Sequence, residues 1–266
     1  GFIYNVRTQQ STPLLNDMPV ALYDCCVVAK NNYVYVIGGS SRSGIVNTVY
    51  RLCFETFEWT TMAPMGIARC VFAAALKDEY IYVFGGINGG RLSSTERYCI
   101  YNNTWEDLGD MPKGPRCYHC AISTTGNEIY IVGGCGTRFV DVFDTGPSLT
   151  WKTQTYLCDM PEERDYAAAV VVKEKYLVVI GGSYYDGSAV TASCLLYDIW
   201  SNHWSSKQSS TDMIEARQYH TAAVLDGKIV VAGGEGRDEN VLASVECIDA
   251  DALLEYAPLH YPLPTL

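Results

Sequence analysis

The chain of 266 residues carries 30 acidic against 19 basic side chains, a net charge of −11, and is 48% hydrophobic. No basic excess is left to neutralise phosphates, which argues against nucleic acid as a partner, and no apolar run approaches the roughly 20 residues that span a bilayer. No signal peptide is visible at the start of the chain.

Residues 1–19 read as two strands, Ile3-Tyr4-Asn5-Val6 and the segment running to Met18-Pro19. A unit then repeats over about 20–65, 66–112, 113–161, 162–213 and 214–266. Its most regular piece is an aromatic and aliphatic run that ends in two glycines, as in Tyr80-Ile81-Tyr82-Val83-Phe84-Gly85-Gly86. The run recurs at 33–39, 129–134, 176–182 and 229–234. The first glycines, Gly38, Gly85, Gly133, Gly181 and Gly233, are spaced by 47, 48, 48 and 52 residues, a period that marks a repeat architecture. Each run reads as a strand buried on both faces. It is stopped by backbone that must enter conformations costing a residue with a Cβ roughly 1–2 kcal/mol.

A strand of small residues precedes each run, for example Phe72-Ala73-Ala74-Ala75 and Ala167-Ala168-Ala169-Val170. A third strand follows it, such as 94–99 or 194–198. A fourth carries Trp59, Trp105, Trp151 or Trp204, and in the fifth unit Leu253 or Leu254 stands in that region. Tyr98 and Tyr197 each precede their tryptophan by seven residues. Four short antiparallel strands per period, with no helical pattern between them, mean one twisted sheet per unit, and radial packing protects the edges of such sheets. The fold class expected is all-β: a β-propeller of five complete four-stranded blades, with residues 1–19 as the third and fourth strands of a sixth, in one domain over 1–266.

The double glycine closing the second strand, followed by tyrosine and tryptophan seven apart, resembles kelch repeats, and the resemblance covers essentially the whole chain. It departs from that pattern where Leu52 and Phe143 stand near the tyrosine position and where the fifth unit lacks tryptophan.

Antiparallel parity puts the loop before each first strand and the loop after each double glycine on one face. Arg69, Arg116, Arg164 and Arg217 open the first strands, with Leu22 in that place in the first unit, and Arg42, Arg91, Arg138 and Arg237 follow the double glycines. Eight of the eleven arginines therefore fall on this face, while Lys30, Lys77, Lys173, Lys175 and Lys228 fall in the opposite turns. Arginine presents a fork that suits carboxylates, so the face is a candidate site for a partner protein or peptide, an acidic one included. The alternative is that these arginines brace the loops against Glu163, Asp165, Glu215 or Asp238. Tyr118, Tyr166 and Tyr219, two residues beyond their arginines, and His119 and His220 beside them, either stack on a ligand or fill the inner wall. Tyr184 and Tyr185 lie in a loop of the same face and suit an interface.

Two further readings remain open: the substrate-recognition part of a ubiquitin-ligase adaptor, and a propeller enzyme acting on a sugar or oxidising a small molecule. Kelch-type propellers include copper-radical oxidases, sugar isomerases and the plant specifier proteins. The chain has only four histidines and lacks the Glu-x3-Asp-x3-His spacing of the specifier iron site. It also lacks G-x-S-x-G, H-E-x-x-H and phosphate-cradling loops. No cofactor or metal is expected. The eleven cysteines lie mostly on predicted strands without metal-ligand spacing and read as reduced core thiols, which points to a reducing, cytoplasmic setting. The sequon Asn102-Asn103-Thr104 reads as turn chemistry.

Overall fold

A computed structural model describes residues 1–5, 7–8, 10–152, 157–184, 189–205 and 212–254. They pack as two compact units, residues 1–117 and 118–266, with the boundary in the loop before a first strand.

The first unit opens with a hairpin of β1 (Phe2–Asn5) and β2 (Gln10–Pro13). Blade 1 is the sheet β3 (Cys26–Lys30), β4 (Tyr33–Ile37), β7 (Val49–Cys53) and β8 (Trp59–Met62). A small ladder of β5 (Ser40–Ser41) and β6 (Gly44–Ile45) lies in its central loop. Blade 2 is β9 (Ala73–Lys77), β10 (Tyr80–Phe84), β11 (Ser94–Cys99) and β12 (Thr104–Asp110).

In the second unit, blade 3 is β13 (Cys120–Ser123), β14 (Glu128–Val132), β15 (Val140–Asp144) and β16 (Thr150–Trp151). Blade 4 is β17 (Ala168–Val172), β18 (Tyr176–Ile180), β19 (Cys194–Asp198) and β20 (His203–Trp204). Blade 5 is β21 (Thr221–Leu225), β22 (Lys228–Ala232) and β23 (Val245–Asp249). Every sheet is an antiparallel meander, the arrangement of a kelch-type propeller blade.

Blade 5 differs from expectation. Among the described residues it has three strands, and the region expected to carry Leu253 or Leu254 toward a fourth strand is the helix α1 (Ala250–Leu254). The reason is local. Asp249 Oδ1 accepts the amides of Asp251 and Ala252, which caps the first turn, and Ala250 and Leu253 turn inward.

Blades stack through their central strands. In the first unit Tyr35, Ile37 and Val49 of blade 1 share a cluster with Ile81, Val83 and Tyr98 of blade 2. In the second, Val170, Val172, Val178 and Ile180 of blade 4 share one with Ile229, Val231, Ile248 and Leu253. Each fully buried aliphatic side chain contributes about 1.5–3 kcal/mol.

The spacing of tyrosine and tryptophan has a geometric cause. Tyr98 pairs directly with Trp105, and Tyr197 with Trp204, so seven residues is the span of one tight hairpin. Inside each hairpin an asparagine at left-handed φ, Asn103 or Asn202, accepts the tyrosine hydroxyl at 2.7 and 2.5 Å. The tryptophans Trp105 and Trp204 donate to the carbonyls of Ala63 and Cys158, at the end of the preceding blade, at 2.8 and 2.9 Å. Trp59 of blade 1 donates in the same way to Asn16 at 3.3 Å, and Asn16 Nδ2 donates to Phe57 O at 2.8 Å. Asn16, Ala63 and Cys158 each stand two residues before a methionine, Met18, Met65 or Met160. The segment after the N-terminal hairpin thus touches blade 1 where the end of a preceding blade touches blades 2 and 4.

Candidate functional site: the double-glycine ends of the blades

Parity holds in the backbone. Tyr23 bridges to Ser40, Cys70 to Ile87, Asp165 to Ser183 and Gln218 to Glu235, so the loop before each of these first strands lies beside its own double-glycine loop. Within each unit the second glycine bonds to the segment that precedes the following first strand. Gly39, Gly86, Gly134 and Gly182 donate their amides to the carbonyls of Arg69, Arg116, Arg164 and Arg217 at 2.8, 2.8, 2.9 and 2.9 Å. These glycines sit at φ between 85° and 102°, and a Cβ on Gly182 would lie 2.6 Å from Asp165 O.

The eight arginines divide by depth. Arg69, Arg116, Arg164 and Arg217 are at most 1% exposed. Arg69 Nη1 donates to Gly85 O at 2.7 Å and Ser94 O at 3.1 Å, and its Nη2 to Ser94 Oγ at 3.1 Å and Glu96 Oε1 at 2.7 Å. Arg217 repeats the set with Gly233 O, Ser244 O, Ser244 Oγ and Glu246. Each carboxylate also accepts two amides of the loop before the blade: Glu96 those of Gly66 and Ile67, Glu246 those of Ile214 and Glu215. Burial pulls the Arg69 guanidinium below its usual range, and Glu96 opposes that shift. The guanidinia of Arg69 and Arg217 are thus braces inside their blades, held by Glu96 and Glu246, which the sequence reading did not name; Glu215, which it did name, lies 3.5 Å from Arg217 Nη2. Arg42, Arg91, Arg138 and Arg237 are exposed on the double-glycine loops, Arg138 donating to Pro161 O at 3.4 Å.

The tyrosines form a row in the second unit. Tyr118 stacks on Tyr166 and Tyr166 on Tyr219, with ring centroids 4.2 and 4.1 Å apart. Their backbones connect as well, Tyr166 N to Tyr118 O and Tyr219 N to Tyr166 O, both at 3.1 Å. All three lie at left-handed φ, as do Asp24 and Val71 at the same position in blades 1 and 2. The conformation therefore belongs to the repeat and not to the tyrosine. Tyr219 is 49% exposed and the other two are half-buried. Burial and the neighbouring hydroxyls push the Tyr166 phenol well above its ordinary range. Tyr184 is half-buried, and Tyr185 lies outside the described residues.

His119 and His220 are buried. His220 occupies the place that Phe72 has in blade 2: each packs a ring carbon on the first glycine of the preceding blade, Gly181 or Gly38. Burial, and next the charge of Arg217, lower its pKa to about 4. It is neutral in both folded and unfolded states above about pH 6.5. As the pH falls from there to about 4, the unfolded chain takes up the proton first, so the fold loses up to about 3 kcal/mol. His220→Phe is expected to remove that share of the acid sensitivity. Urea midpoints at neutral and acid pH check this, and an unchanged difference between them would count against it.

The sequence of the KLHDC2/KLHL20/DRC7 Kelch-repeats domain, taken as a family, matches residues 2–134 and 126–254. The chain belongs to the kelch-repeat family. It is 28% identical to Kelch-like protein 38 of Homo sapiens over 264 residues, which cover 94% of this chain and 42% of that protein. Kelch-like protein 26 of Danio rerio is 26% identical over 262 residues, 93% of this chain and 42% of that protein. Kelch-like protein terF of Aspergillus terreus is 26% identical over 254 residues, 87% and 54%. The chain thus spans about two fifths of the length of the first two kelch relatives.

Two kinds of residue in these kelch blades escaped the sequence reading. The acids Glu96 and Glu246 sit at the same register as Asp141, opposite the penultimate residue of the second strand. An acid recurring there alongside the arginine was the available signal. Ser94 and Ser244, one residue before β11 pairs with Phe84 and β23 with Ala232, carry the other half of the brace. All eleven cysteines are thiols; burial pushes Cys120 and Cys194 up to about 12. Among the described residues no three His, Cys, Asp or Glu side chains gather as metal ligands, and no helix is long and apolar enough to cross a membrane.

Proposed function

We propose that the chain binds a partner protein or peptide through the double-glycine ends of its blades. The observation that carries this reading is the division of the arginines by depth. Loops with structural duties have drawn their arginines inside, while Arg42, Arg91, Arg138 and Arg237 remain exposed on loops that the strands hold in place. Tyrosine and arginine are the common anchors of interfaces, and here both stand at the same blade ends. The thiol state of the cysteines supports a reducing compartment, the cytoplasm being our choice. We also propose that β1 and β2 are the outer half of a further blade, on the strength of the Asn16 contacts.

Arg138→Ala with Arg237→Ala is expected to weaken capture of the partner by roughly 2–3 kcal/mol, with the fold intact by circular dichroism. Lys228→Glu, at the other end of blade 5, is expected to change capture little. Retention by the arginine variant together with loss by the lysine variant would place the binding end on the wrong side of the blade.

A further inference from the structure

Blade 4 breaks the arginine brace. Glu96 stands opposite Val83 and Glu246 opposite Val231, but the matching position opposite Val179 is Leu195. Arg164 turns instead to Glu162 and to Ser193 Oγ, both through Nη2. Its Nη1 is buried and has no hydrogen-bond partner among the described residues. In blades 2 and 5 that nitrogen donates to two main-chain carbonyls. Tyr184 covers the unsatisfied group: its ring centre is 5.0 Å from the Arg164 guanidinium carbon, and its hydroxyl donates to Glu162 Oε2 at 3.0 Å.

A buried donor without an acceptor is costly, and a cation held under an aromatic ring keeps only part of the stabilisation that an oxygen would give. Glu162 is about one third exposed and engages one nitrogen only, so the remaining edge of the guanidinium, closed over by Tyr184, keeps an unused donor. We infer that Arg164 is a latent anchor whose Nη1 receives a carboxylate or carbonyl oxygen from an extended segment of the partner, with Tyr184 as the lid that swings aside. The inference rests on the partner-binding reading of the same blade ends. A carboxylate gives the stronger, charge-assisted bond, and a main-chain carbonyl reproduces the bonds of blades 2 and 5.

The probe is a capped Ala-Glu-Ala peptide titrated onto the whole chain with 3-fluorotyrosine at Tyr184, read by fluorine NMR. Millimolar binding is expected, with a shift of the Tyr184 resonance. A capped Ala-Ala-Ala peptide separates the two sources. Binding weaker by about fivefold or more assigns the carboxylate, and equal binding assigns the main-chain carbonyl. Leu195→Glu supplies the missing acid, draws Arg164 into the full brace, and is expected to weaken binding by about tenfold or more. Should that variant not fold, Tyr184→Ala decides, followed by amide NMR. Removal of a lid tightens binding by several fold, whereas removal of a contact weakens it. Absence of any response up to about 50 mM peptide overturns the inference. So does binding that ignores Leu195→Glu in a folded variant, or that weakens in Tyr184→Ala. In the first of these two cases the peptide sits elsewhere, in the second Tyr184 is a contact and not a lid, and in both the Arg138 and Arg237 variants still judge the partner-binding reading by itself.

Discussion

Arg69→Met is expected to destabilise the first unit by roughly 3–5 kcal/mol, because it strands the Glu96 carboxylate in the interior. Glu96 has 5% of its side chain exposed, and it cannot simply turn outward while it accepts the amides of Gly66 and Ile67. The carbonyls of Gly85 and Ser94 lose their donor in the same step. Blade 1 shows the alternative, with Leu22 at the arginine position and Tyr50 at that of the acid, opposite Val36. Arg69→Leu with Glu96→Tyr is therefore expected to recover roughly 1–2 kcal/mol of the loss, since no charge is then left buried alone. Urea unfolding of both variants measures the coupling. A single variant that costs under about 1 kcal/mol would show that the pair does little for stability.

Gly182→Ala is expected to cost roughly 2–4 kcal/mol. At φ +92° the backbone is in a region that side chains with a Cβ rarely enter, and the added carbon meets both Asp165 O at 2.6 Å and Ala167 Cβ at 3.0 Å. Any shift that relieves the contact lengthens the 2.9 Å bond from Gly182 N to Arg217 O and loosens the joint between blades 4 and 5. By contrast, Gly44 lies at φ +119° with open space around it, so Gly44→Ala carries the conformational strain without the clash. Thermal unfolding of the two variants separates crowding from conformational cost, and equal losses would remove the joint from the explanation.

How much of this was legible in the sequence depends on the range of the interaction. The strands and their meander order follow from local patterns, since alternation and paired glycines act within a few residues. Parity of antiparallel strands then placed Asp165 beside Ser183 and Gln218 beside Glu235 without any long-range information. Residue type alone could not assign depth. Arg217 and Arg237 are the same residue at the same blade end, yet one is buried and the other exposed. The difference lies in Glu246, Ser244 and Gly233, which reach Arg217 across 16 to 29 residues of sequence. His220 stayed undecided for the same reason, since a ring at the position of Phe72 reads equally as ligand or packing until its contact with Gly181 is seen. The short helix after β23 was missed because a single aspartate, Asp249, caps it.

The central claim is that partner binding belongs to the double-glycine ends of the kelch blades. A photo-reactive phenylalanine analogue at Val241, in the double-glycine loop of blade 5, tests it against the same label at Trp200, in the opposite turn of blade 4. Both positions are exposed, at 84% and 75%, so each reports contact without disturbing the core. Irradiation in the presence of the captured partner is expected to give an adduct at position 241 and none at position 200. An adduct at position 200 alone would contradict the claim.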